Sequence, residues 1–66
     1  METTDVRDRI EKIRAVAGDD EVAHGREKDL WRDVLEAIAL GRTGNPAELA
    51  TAALKTQEID FMRWYA

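Results

Sequence analysis

The sequence predicts an all-α fold, a small three-helix domain with a short fourth C-terminal helix. Three observations predict it. Apolar residues recur at three- and four-residue spacing through most of the chain. Glycines and an Asn-Pro step punctuate that pattern where helices should end and begin. The one segment that also reads as a strand, residues 59–65, has no second strand to pair with. The helices fall at about 4–17, 20–40, 46–55 and 57–64, in a single domain spanning 1–66.

The first helix opens at Thr3 or Thr4, either of which can cap it, with Asp5 favourable near its positive end. Val6, Ile10, Ile13 and Ala17 follow on one face. Asp5 with Arg9 and Asp8 with Lys12 are acid-first pairs four residues apart, each contributing a few tenths of a kcal/mol. Gly18 ends this helix as a left-handed cap. Asp19 or Asp20 caps the second helix. Its apolar stripe is Leu30, Trp31, Val34, Leu35 and Ile38, opposed by a wet face of Asp29, Arg32, Asp33 and Glu36. Gly41 closes it.

Asn45-Pro46-Ala47-Glu48 is the sharpest local signal: a capping Asn, a proline at the first helical position, and an acid able to reach back to the cap. Leu49, Ala52, Ala53 and Thr56 give the third helix a face of mostly small residues, which admits close approach by a neighbour. Beyond Lys55 a straight helix would be apolar on all sides, so a break is expected near Thr56, with a last helix over 57–64.

The bulk composition bounds the rest. A chain of 66 residues buries only about 60% of the surface its unfolded form exposes. It has no cysteine, which excludes disulfides, and one histidine, which excludes a histidine-rich metal site in one copy. Tight helix packing or self-association is left as the source of stability. The net charge of −4 argues against a nucleic-acid partner, which calls for a basic face. No apolar run can span a bilayer. Met1-Glu2-Thr3-Thr4-Asp5 lacks the basic-then-apolar layout of a signal peptide. A cytoplasmic location is therefore expected, with no membrane partner.

Groups that could carry chemistry are sparse. Carrying the second helix's stripe back by seven residues reaches Ala23 and His24, with Glu27 and Lys28 beside them. Either this end overhangs the core and the three polar groups are solvated, or they form a patch that meets a partner or a second copy. A break at Gly25 is a third reading. Glu21 and His24 lie three apart, a spacing used in di-metal carboxylate bundles. With one histidine per chain, a site using Glu21, His24 and Glu27 would need a dimer. There is no Ser or Cys nucleophile, and Gly41-Arg42-Thr43-Gly44 is no phosphate loop. The paired acids Asp33 and Glu36 read as a charged face. A helix-turn-helix reading fails because the third helix offers Ala, Leu and Thr to a groove. No catalytic, cofactor or metal residues are assigned.

The C-terminal segment holds Phe61, Trp64 and Tyr65, three of the chain's four aromatic residues, with Met62 and Arg63 among them. Such a segment is costly to leave wet. It either completes the core, packing on Val34 and Ile38, or serves as an interface in which Arg63 holds a partner's carboxylate.

The chain resembles small uncharacterised accessory proteins of actinobacteriophages, including those of mycobacteria. The resemblance lies in Ala17-Gly18-Asp19-Asp20, Ala23-His24, Glu27, Leu30, Val34-Leu35, Ala37-Ile38-Ala39, Ala53-Leu54-Lys55-Thr56 and Glu58-Ile59-Asp60-Phe61-Met62-Arg63-Trp64. It covers most of the chain and contains no catalytic signature. It implies a phage protein made in a bacterial host cell and acting on a host or phage protein. The expected function is thus a non-enzymatic, self-associating protein-binding module with Phe61, Met62, Arg63, Trp64, Tyr65, His24, Glu27 and Lys28 as candidate contacts. A metal-dependent enzyme and a purely structural homo-oligomer are the alternatives.

Overall fold

The computed structural model describes residues 1–63. Three α-helices follow in order: α1 (Thr3–Ala15), α2 (Asp20–Ala39) and α3 (Pro46–Leu54). They pack pairwise around one core, and no strand occurs among the described residues. Val6, Ile10 and Ile13 enter it from α1. Ala23, Leu30, Val34 and Ala37 come from α2, and Leu49, Ala52 and Ala53 from α3.

The caps explain the boundaries. Glu2 precedes α1, and its amide donates to Asp5 Oδ2 at 2.8 Å. The helix therefore starts slightly ahead of the expected residue 4. It also stops before Gly18. The amides of Val16 and Ala17 donate to Ile13 and Arg14 carbonyls at 3.1 and 3.2 Å, tightening the exit into a turn. Val16 and Ala17 pack against the core from that turn, and Gly18 does not take the left-handed conformation.

Asp19 caps α2 by accepting from the Val22 amide at 3.2 Å. At its far end Gly41 has φ +66°, and the amides of Gly41 and Arg42 donate to Ile38 and Ala37 carbonyls at 3.2 and 2.7 Å. That pair of bonds is the Schellman closure, which needs a left-handed residue and favours glycine. The helix runs unbroken through Gly25. Asn45 Oδ1 accepts from the Glu48 amide at 3.0 Å and opens α3 at Pro46. Glu48 in turn receives the Asn45 side-chain amide at 3.1 Å. Arg9 reaches from α1 to Asp33 on α2 at 2.8 Å, rather than back to Asp5 as helical spacing predicts. The hydrogen bond from Arg9 holds the Asp33 carboxyl below its ordinary range.

The fourth helical piece is present as a single 3-10 turn, Lys55–Glu58, joined directly to α3. It does not continue to residue 64. Ile59 is extended (φ −83°, ψ 126°), and 60–63 carry no helix. Ile59 and Phe61 are buried at 3% and 8% exposure, while Asp60 and Met62 face outward. That alternation is the two-residue period of extended backbone. The segment lies over the core as a strap. Its segment-to-core bonding comes from side chains: the Met62 amide donates to Asp20 Oδ1 at 3.0 Å. The Arg63 guanidinium donates to the carbonyls of Thr56 (2.9 Å), Ile59 (3.4 Å) and Phe61 (3.3 Å). An arginine thus supplies donors that a neighbouring strand would otherwise offer.

Candidate protein-binding groove

Two stripes run along α2. One is Ala23, Glu27, Leu30, Val34 and Ala37, all buried. The other is Glu21, His24, Lys28, Trp31 and Leu35, which lines one side of an open groove of about 1130 Å³. Both are spaced alternately three and four residues apart, the repeat that keeps side chains in line along a helix. Gln57 and Arg63 lie on the groove's other side, from the 3-10 turn and the strap.

The floor and wall of the groove are fixed by a polar cluster. Trp31 is half-buried, and its indole N–H donates to the Ala53 carbonyl at 3.2 Å and to Thr56 Oγ1 at 3.1 Å. Thr56 is fully buried, and its hydroxyl favours the charged form of the Glu27 carboxylate. Arg63 grips Glu27 with two nitrogens, Nε to Oε1 at 2.9 Å and a terminal nitrogen to Oε2 at 2.8 Å. The same guanidinium lies 4.0 Å from the centre of the Phe61 ring. Burial by itself disfavours the Glu27 charge. The hydrogen bonds from Arg63 and Thr56, with the charge of Arg63, outweigh it, and the carboxyl stays below its ordinary range. A buried carboxylate held on both oxygens by a fork-shaped cation is a satisfied group, so this pair anchors the strap to α2.

The groove surface beyond that anchor is less complete. Leu35 is 67% exposed, a large value for a leucine beside a half-buried tryptophan. Lys28 is exposed and has no carboxylate within 4 Å among the described residues. His24 is half-buried, and its Nδ1 is shielded from solvent with no hydrogen-bond partner among the described residues. A smaller cleft of about 310 Å³ lies between α1 and α2, lined by Arg9, Lys12, Ile13, Arg26 and Asp29.

The candidate contacts named from sequence therefore separate. His24 and Lys28 line the groove. Met62 is 55% exposed on the strap. Glu27 touches the groove but is only 5% exposed and committed to Arg63, so it is not a solvated overhanging group. Arg63 holds this chain's own carboxylate rather than standing ready for a partner's. Phe61 is a core residue. Trp64 and Tyr65 lie outside the described residues. Among the described residues no group of three or more His, Asp or Glu side chains is arranged to hold a metal.

Trp31, Leu35, Thr56 and Gln57 were absent from the contacts expected. The sequence signal for the first two was the regular spacing from Glu21 to Leu35, which merges with the core stripe when both are counted as one wide apolar face. Thr56 carried no local signal beyond its capping potential. No helix of the described residues is long and apolar enough to cross a membrane. Compared with known protein families, curated proteins and solved structures, the chain matches none.

Proposed function

We propose that the protein is a non-enzymatic protein-binding module whose contact face is the groove along α2. The observation that carries this reading is the stripe of half-buried His24 and Trp31 with exposed Lys28 and Leu35, beside a groove that Arg63 also lines while it holds Glu27. Aromatic and aliphatic groups on a pre-formed concave surface are what a partner's side chains bury against. The resemblance to actinobacteriophage accessory proteins supports a host or phage protein in the bacterial cytoplasm as the partner. A metal-dependent reading through Glu21, His24 and Glu27 is disfavoured, since both Glu27 oxygens are occupied by Arg63.

A photo-crosslinking residue placed at Leu35 in the intact chain tests the reading. It should capture a discrete partner from host cells, and the same group at Glu11 on α1 should not. Equal capture at both positions, or none at Leu35, contradicts it. Self-association is a second reading, favoured by the exposure of Leu35, Leu54 and Met62. Sedimentation of the intact chain across a concentration series separates a monomeric binder from a homo-oligomer.

A further inference from the structure

We infer that residues 59–63 form a hinged clasp that opens as one unit while α1, α2 and α3 stay packed, so that the groove has a closed and an open form. This motion belongs to the fold itself, whether or not a partner uses the groove.

A peg at the 3-10 turn sets the hinge. Trp31 Nε1 donates to the Ala53 carbonyl at 3.2 Å and to Thr56 Oγ1 at 3.1 Å, and Thr56 is fully buried. Those bonds tie the turn to α2 without any atom of the strap. Past the peg the chain changes character. Ile59 has left the helical region, and its amide bonds back to the Thr56 carbonyl at 3.0 Å. From there on, side chains hold the strap to α2. The Met62 amide donates to Asp20 Oδ1, and the Arg63 guanidinium donates to both Glu27 oxygens.

Met62 and Arg63 are adjacent, yet they grip α2 at Asp20 and Glu27, about two helical turns apart. The two tethers are therefore coupled, because swinging one off α2 carries the other with it. A segment with few buried apolar groups and little backbone bonding to the core opens at less cost than global unfolding. Ten of the twelve buried apolar residues come from α1, α2 and α3, against Ile59 and Phe61 from the strap. The helices also close their own ends. Asp19 caps α2, Gly41 ends it and Asn45 caps α3. Arg9 joins α1 to α2 through Asp33. None of these contacts passes through the strap. Opening withdraws Arg63 from the groove, returns the Glu27 carboxylate to water and bares the seats of Ile59 and Phe61.

Native-state hydrogen exchange, followed by NMR on the intact chain, tests the clasp. Relative to its unfolded rate, the Met62 amide should exchange at least about tenfold faster than the Leu30 and Val34 amides, with a weaker dependence on denaturant. The Trp31 indole N–H should keep its protection where Met62 has lost it. Glu27→Gln weakens one tether and leaves the Asp20 bond to Met62 in place. It should nevertheless speed Met62 exchange about fivefold or more, because a charge-assisted pair becomes a neutral one. Asp20 is half-buried at the start of α2, and Asp20→Ala is the reciprocal variant, expected to speed exchange of the Arg63 Nε–H. Met62 protected as fully as Leu30 and Val34 would mean that strap and helices unfold together, and no clasp exists. An unchanged Met62 rate in Glu27→Gln, or an unchanged Arg63 rate in Asp20→Ala, would mean that the tethers open separately. Loss of Trp31 indole protection in step with Met62 would contradict the peg. Should Glu27→Gln fail to fold, the wild-type exchange pattern and Asp20→Ala still decide.

Discussion

The two stripes of α2 make the most instructive contrast in this molecule. Both follow the same three-four spacing on the same helix, and both include a glutamate near the N-terminal end. The inward stripe is closed: Leu30 is fully buried, and even its charge, Glu27, is capped by Arg63 and Thr56. The outward stripe is open: Leu35 is mostly exposed and His24 Nδ1 has no partner among the described residues. Spacing alone does not separate a core face from an open one. What separates them is whether another part of the chain arrives to satisfy the polar members.

The largest test of this contrast is truncation on each stripe. Leu30→Ala should cost about 2–5 kcal/mol, since it leaves a cavity at the centre of the core. Leu35→Ala should change stability by about 0.5 kcal/mol or less, as an exposed substitution does. Thermal or urea unfolding of the two variants measures both. Equal losses would erase the distinction.

The next effect concerns the strap. Arg63→Ala should cost about 3 kcal/mol, because it leaves the buried Glu27 carboxylate without its counter-charge. Adding Glu27→Leu should recover much of that loss, because no uncompensated charge remains. A double-mutant cycle by chemical denaturation reads the coupling. Additive losses would mean that the pair does not hold the strap.

A smaller effect is pH dependence. The folded-state carboxyls of Glu27 and Asp33 both lie below their ordinary values. Between the folded and ordinary values the unfolded chain binds more protons than the folded one. Their contribution is therefore complete above the ordinary carboxylate range and is lost as pH falls through the folded values. Unfolding free energy should fall on acidification, and less so in Glu27→Gln. A flat acid limb in the wild-type chain would contradict the assignment.

The smallest expected effect is a gain. Gly25 sits within continuous α2, and an added Cβ there would meet nothing. Gly25→Ala should stabilise the fold by about 0.5–1 kcal/mol. Thermal melting checks it, and a loss would contradict the open space around Gly25.

Much of the helical frame was legible because its signals are local. Asn45-Pro46 marked the start of α3, and Gly41 the end of α2, from residue chemistry alone. Gly18 misled, because an equally local glycine signal was overridden when Val16 and Ala17 tightened into a turn against the core. The strap was missed for a related reason. The alternation Ile59-Asp60-Phe61-Met62 is visible, but extended backbone was discounted without a partner strand. The guanidinium of Arg63 supplies that role, and Glu27, which orients it, lies 36 positions away in sequence. The groove was half visible. His24 and Lys28 stood out as polar members of an apolar stripe, whereas Trp31 and Leu35 were absorbed into the core face. Only the packing of α1 and α3 against Leu30 and Val34 decides which side of α2 remains open.

The central claim is that α2 has one face for folding and one for binding. The most direct measurement is Leu35→Asp, read for stability and for partner capture in the same preparation. A melting temperature close to wild type with capture lost is the expected result. Retained capture, or unfolding that accompanies its loss, would contradict the division of the helix into two faces.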